Sequence, residues 1–270
     1  TPCGSYGQFK ITRYLLCATG DSLYGDSMET VLYNTILGAR LIQPDGTSFY
    51  YADYNNDGHK FWHNDKWPCC SGTFPQVTAD YGISSYFATP RGLAVNLYHP
   101  SRVTWNQSGA NVTLVQTTDY PNSGDIALTL TTDRNRSFPS ALRIPAWAGP
   151  ATRVRINGRT APGATPRPGT WLTLDREWRN NDRIELTLDM PLRLIPLDAG
   201  HPNLVALAAG PRILFVILPA PGTLTRQQLL SAERISSSTP EWHIDSATGP
   251  LRAVPYTSIT DEHYRLYHQI

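Results

Sequence analysis

Four cysteines, at positions 3, 17, 69 and 70, are the side chains in this 270-residue sequence best suited to covalent or metal chemistry. Two of them are adjacent in the stretch WPCCSGT, between a proline and a Ser-Gly pair. The thiolate is the form of sulfur that attacks carbon and that ligates zinc. Zinc takes four ligands from Cys, His and carboxylates, and neighbouring ligands in one segment are common. Cys3, Cys69 and Cys70 supply three, and His59, His63, Asp65 or another carboxylate could supply the fourth. A metal-held thiolate could also act as a nucleophile, so the same trio suits covalent catalysis. The spacing matches no common zinc-finger pattern.

Other readings stand beside this one. Cys17 lies in an apolar helical stretch and is expected to be a small core side chain. The adjacent pair fits that role badly, in a segment rich in Gly, Pro and charge. A strained vicinal disulfide, or a zinc or redox staple without catalysis, would also bring two cysteines together. Four cysteines are too few for a disulfide scaffold at this length.

The elements that must position these sulfurs follow two periods. Residues 6–38 are expected to form a helical hairpin, with a broken stripe at Phe9, Tyr14, Leu15 and Leu16 and a stop at Gly20. Asp26-x-x-Glu29 has the form of a capping box. After it Met28, Val31, Leu32, Thr35 and Ile36 follow the i, i+3, i+4 spacing of a buried face, ending at Gly38. Residues 39–73 break all periodicity and read as a long functional loop dense in Asp, Asn, Gly, His and aromatics. A third helix is expected over Pro75–Phe87.

From Gly92 the period becomes two. Segments such as IALTLTT, TWLTLDR, RIELTLDM and RILFVIL alternate or run apolar, with turn signals about every ten residues. Asn157-Gly158 predicts a two-residue hairpin turn. Short strands at this spacing suggest an antiparallel β-sandwich, with the last thirty or so residues as an edge strand or a tail packing back. The fold class expected is α+β, with residues 1–90 a helical part carrying the Cys-Cys loop and 91–270 a β-sandwich.

Basic and acidic residues number 23 and 22, so charge offers no argument for nucleic acid or an anionic membrane. No run approaches the roughly eighteen apolar residues of a membrane span. With 22 Pro, 20 Gly, 7 Trp and 14 Tyr, the composition suits a turn-rich β protein whose exposed aromatics could stack on sugar rings. Sequons at Asn106, Asn111 and Asn135 are weak signals of secretion.

The segments PCGSYGQFKITRYLLCATGDSLYGDSMETVLYNTILGA, FYYADYN, WPCCSGTFPQVTADYGISSYF and LRIPAWA together resemble the β-L-arabinofuranosidase family, glycoside hydrolase family 127. The resemblance runs in order through most of the chain. It implies that residues 1–90 are the terminal helices of an incomplete (α/α)6 barrel, the earlier helices lying in a missing N-terminal part of the same protein. It also implies a zinc ion held by one glutamate and three cysteines, here Cys3, Cys69 and Cys70. Cys69 corresponds to the nucleophile of a retaining, two-step hydrolysis. Glu29 matches an active-site glutamate and Tyr51 a sugar-contacting tyrosine, with Tyr50 one register step away.

Two departures accompany the resemblance. The family's zinc-binding glutamate stands two residues before the first cysteine, where this sequence has Thr1. Its acid/base glutamate lies further upstream, so this piece alone is expected to be inactive. The substrate implied is an arabinose-containing oligosaccharide or glycan. The rivals are a non-catalytic carbohydrate-binding β-sandwich and a structural zinc or thiol protein, because a β-sandwich by itself does not fix function.

Overall fold

The structure, a computed structural model, describes residues 2–39, 43–54, 57–63, 69–220 and 223–270. It opens with two helices, α1 (Pro2–Thr19) and α2 (Ser22–Val31), joined by a tight turn at Gly20. Gly20 takes φ +71 and its N–H closes on Leu16 O at 2.8 Å, the left-handed stop expected of glycine. Asp21, not Asp26, serves the start of α2: its Oδ1 accepts from Leu23 N at 2.9 Å. The Asp26-Glu29 capping box is therefore a misreading, since both residues lie inside α2.

α2 runs into a π-helical turn, Leu32–Ile36, in which Leu37 N reaches Leu32 O at 2.9 Å. Asn34 in this turn donates to Thr30 O and Pro211 O and accepts from Ile213 N. Gly38 is required by packing rather than by conformation: a Cβ there would lie 2.0 Å from the Tyr256 ring.

The stretch expected as an irregular loop holds an antiparallel pair, β1 (Ser48–Ala52) and β2 (Lys60–His63). The third helix, α3 (Cys69–Ile83), starts six residues before the Pro75 start expected of it, so the cysteine pair occupies its first two positions rather than a loop. Pro75 lies within α3 and supplies no N–H to the carbonyl four residues earlier. Among the described residues, no helix is long and apolar enough to cross a membrane.

The chain divides into two compact units, Thr1–Lys10, Glu29–Ala79 and Pro191–Ile270 in one, Ile11–Met28 and Asp80–Met190 in the other. The second unit contains a six-stranded antiparallel sheet built from strands between Ser101 and Thr187. Beside it in sequence is a four-stranded sheet in which Thr170–Trp178, Arg136–Ile144, Leu93–Val95 and Tyr86–Ala88 are neighbours. Leu93–Val95 runs parallel to Arg136–Ile144, a departure from the all-antiparallel expectation.

The two sheets share a core. Trp105 of one meets Phe138 of the other edge-on at 5.9 Å, and Trp178 lies 6.1 Å beyond Phe138. The buried Trp178 indole donates to Phe138 O at 2.9 Å, satisfying its one polar atom. Residues inside and outside alternate along the strands, as in Ile126, Leu128 and Leu130 against Ala127 and Thr129. At the Asn157-Gly158 turn both residues have positive φ, 53 and 75, and Ile156 pairs with Arg159.

The first unit holds an eight-stranded sheet covered on both faces. Val205, Leu207, Leu214, Val216 and Trp242 belong to one apolar cluster, and Ala206, Phe215, Val254, Tyr256 and Tyr264 to another. Burial on both sides explains why RILFVIL runs apolar without alternation. The segment expected to be an edge strand or tail includes Leu251–Pro255, which pairs on one side with Arg212–Ile217 and on the other with Trp242–Ile244.

Candidate functional site

Cys3 is in the first turn of α1, and Cys69 and Cys70 open α3. The helix ends bring together sulfurs that are 67 residues apart: Cys3 Sγ donates to Cys70 Sγ at 3.5 Å. Cys69 Sγ lies 3.9 Å from Cys70 Sγ, and all three sulfurs fall within 4.8 Å of one another. All three are free thiols in this structure. Their exposures differ in a useful way. Cys70 is buried, Cys3 half-buried and Cys69 exposed.

Thr73, one turn into α3, completes the cluster. Its hydroxyl lies 3.1 Å from Cys3 Sγ and donates to Cys69 O at 2.9 Å. Partial burial alone would raise the Cys3 thiol, but hydrogen bonds with Thr73, Cys69 and Cys70 outweigh it and hold Cys3 below the ordinary thiol value. Burial pushes Cys70 up to about 12, with its contacts to Cys3 and Cys69 adding to the rise. A thiol held so strongly protonated must lose its proton for metal to bind.

The spacing suits a metal. Tetrahedral ligands at a zinc–sulfur distance of ~2.3 Å stand roughly 3.8 Å apart. The observed separations of 3.5 and 3.9 Å bracket that value. Among the described residues this group comprises the three cysteines alone. Of the fourth ligands considered, His59 stacks on His263 at 4.7 Å and packs against Phe61 at 3.9 Å. The His63 side chain, Asp65 and Thr1 lie outside the described residues.

Glu29 lies in α2 and is 1% exposed, so its carboxyl is a buried group with internal interactions. Tyr51 falls on β1, and the side chains of Tyr50 and Tyr51 are outside the described set. Cys17 is exposed on α1, correcting the expectation of a core side chain.

Sequence reasoning missed Thr73 because it placed the cysteines in a loop. Had the helix been started at Cys69, Thr73 would have stood one turn on, on the same face. It also missed Lys60, which is 5% exposed on β2 and donates from Nζ to Tyr256 O at 2.8 Å and Ile259 O at 2.7 Å. Nζ also sits 4.2 Å from the Tyr256 ring centroid. With Gly58 bridging Tyr264, these contacts fasten the β1–β2 hairpin, which bears Tyr51, to the C-terminal segment.

Comparison with known proteins gives consistent results. Residues 2–83 match the model "Beta-L-arabinofuranosidase, GH127 catalytic domain", and residues 92–190 match "Beta-L-arabinofuranosidase, GH127 middle domain". A non-reducing end β-L-arabinofuranosidase of Bifidobacterium longum subsp. longum is 24% identical over 235 residues, 78% of this chain and 34% of that protein. A GH127 β-L-arabinofuranosidase structure from Geobacillus stearothermophilus T6 superposes with a TM-score of 0.80 at 22% identity, covering 99% of this chain and 49% of that one. A second GH127 β-arabinofuranosidase structure gives 0.78 at 20% identity, covering 100% and 49%. The chain thus spans about a third of the curated relative's length and about half that of these solved structures.

Proposed function

This chain belongs to the β-L-arabinofuranosidases of glycoside hydrolase family 127, and we propose from that premise that it carries the nucleophile of a retaining glycosidase acting on arabinose-containing oligosaccharides or glycans. The observation that supports this most is the convergence of three free thiols, one of them exposed. Cys69 is the proposed nucleophile because its side chain is open to a ligand while Cys70 is buried. Cys3, Cys69 and Cys70 would hold a zinc ion, which when bound keeps coordinating sulfur as thiolate at neutral pH. The fourth ligand is expected outside the described residues.

In the first step Cys69 Sγ attacks the anomeric carbon. A carbon–sulfur bond forms, the glycosidic carbon–oxygen bond breaks, and the leaving oxygen takes a proton from a general acid. In the second step water attacks the same carbon, its proton goes to that group's conjugate base, and the sulfur departs. Two displacements at one carbon retain its configuration. Glu29 and Tyr51 are proposed to bind the sugar. α1, α2 and α3 are proposed as the last helices of an (α/α)6 barrel. No residue here matches the family's acid/base position, so the 270-residue segment alone is expected to be inactive.

The exposure of Cys69 favours catalysis over a purely structural zinc site, whose four ligands close around the metal. The test uses the full polypeptide bearing this sequence, assayed on 4-nitrophenyl β-L-arabinofuranoside. Cys69→Ala should lower kcat at least roughly a thousandfold at unchanged unfolding midpoint, with a glycosyl adduct on the Cys69 peptide of the wild type. Wild-type turnover by that variant, or an adduct on Cys3 instead, would overturn the assignment.

A further inference from the structure

The six-stranded sheet of residues 101–187 turns one face to solvent, and that face carries two exposed arginines, Arg153 and Arg155, that form no ion pair among the described residues. Register fixes which side chains share it: Arg155 lies opposite Glu185 and Arg153 opposite Thr187, with Thr187 in turn opposite Asp125. A second row runs from Arg183 through Thr129 and Val115 to Arg102. Among the described residues the four arginines share this face with two carboxylates, Glu185 and Asp125, of which Glu185 is ion-paired and Asp125 is hydrogen-bonded by hydroxyls and keeps its charge. Glu185 takes Arg183 Nε at 3.5 Å on one oxygen and Gly158 N at 3.1 Å on the other. Asp125 accepts from Thr187 Oγ1 at 2.9 Å and Ser123 Oγ at 3.2 Å.

Arg153 and Arg155 are exposed and make no ion pair or side-chain hydrogen bond among the described residues. Two residues apart on one strand, they point the same way at a spacing of about 6.8 Å. A groove of about 400 Å³ lies along them, bordered by Thr117, Asp125, Arg183, Glu185 and Thr187. Guanidinium groups bind carboxylates in a planar two-bond fork, and threonine hydroxyls can donate to or accept from sugar hydroxyls.

We propose that this groove is a binding site for a carboxylate-bearing polysaccharide, a polyuronate chain seated on Arg153 and Arg155. The strands of the face offer no aromatic side chain to it, so it lacks the anchors of a protein interface and the stacking platforms of a single-stranded nucleic-acid site. The inference rests on these residues and is independent of the thiol chemistry.

The experiment is titration of the 270-residue chain with polygalacturonate and with its fully methyl-esterified form, which has the same backbone without charge. Binding is expected for the acid polymer alone, weakening from about 0.05 M to about 0.3 M salt. Arg153→Gln/Arg155→Gln should reduce affinity at least tenfold at an unchanged unfolding midpoint, and Cys69→Ser should bind as the wild type does. Equal binding of both polymers, wild-type affinity in the double arginine variant, or equally tight binding of dextran sulfate would overturn the site. Loss of binding in Cys69→Ser would place the contact at the thiol cluster and also overturn it.

Discussion

Asp26, in the middle of α2, forms a partly buried ion pair with Arg143, 117 residues away on the strand Arg136–Ile144. The arginine side chain is 0% exposed; its Nε donates to Asn96 O at 2.8 Å, and Asp26 Oδ2 accepts from Ala146 N at 2.9 Å. Removing the carboxylate takes the Asp26 charge away from a guanidinium that is itself fully buried. Asp26→Ala should therefore cost about 3–5 kcal/mol in urea unfolding. A change below about 1 kcal/mol would mean that water reaches Arg143 readily.

The thiol cluster makes a prediction about metal content. Wild-type protein purified without chelator should carry about one zinc per chain, and Cys70→Ser or Cys3→Ser should carry almost none. Zinc retained at wild-type level in both variants would exclude the trio as ligands. Cys17→Ser, on the exposed face of α1, is the control and should change nothing.

Thr73 gives a finer test of the same cluster. Its hydroxyl helps hold the Cys3 thiol below its ordinary value. In metal-free protein Thr73→Val should raise that thiol, so alkylation of Cys3 by iodoacetamide near pH 8 should slow severalfold. Peptide mapping separates Cys3 from the exposed Cys17 and Cys69. An unchanged Cys3 rate would show that the contact does not control its ionisation.

Lys60 fastens the hairpin through the carbonyls of Tyr256 and Ile259. Lys60→Met keeps the length of the side chain but leaves both acceptors without that donor, at a cost of about 2–3 kcal/mol. In the full polypeptide the same variant should lose activity while its zinc content matches that of the wild type, because the hairpin bears Tyr51 and the three cysteines lie on other elements. Full activity would separate the hairpin from substrate binding.

His268 sets an acid limit on stability. It is 2% exposed, neither ring nitrogen has a hydrogen-bond partner among the described residues, and burial, with a smaller push from Arg265, lowers its pKa from 6.5 to about 4. A histidine depressed in the folded state takes its proton more readily when unfolded. Its stabilising contribution is whole above about pH 6.5 and is lost as pH falls from there to about 4, roughly 3 kcal/mol in all. His268→Leu should flatten the stability profile across that window, measured by urea unfolding at each pH. A profile as steep as the wild type would assign the acid sensitivity to other groups.

Much of this protein was legible in its sequence because much of it is local. The switch from a helical period to a period of two near Gly92, the Gly20 stop and the Asn157-Gly158 turn depend on residues a few positions apart, and the structure has all three. Cys3, Cys69 and Cys70 could be singled out by type and motif. Their meeting could not be derived from spacing, since it depends on how the ends of α1 and α3 pack across 67 residues. Tertiary structure decided that Cys69 is exposed and Cys70 buried, that Asp26 serves Arg143 rather than a helix cap, and that the strands after Gly92 divide among separate sheets. The reason is one of range. Periodicity records which face of an element is apolar, whereas burial of an individual thiol or carboxylate is set by what distant chain arrives to cover it.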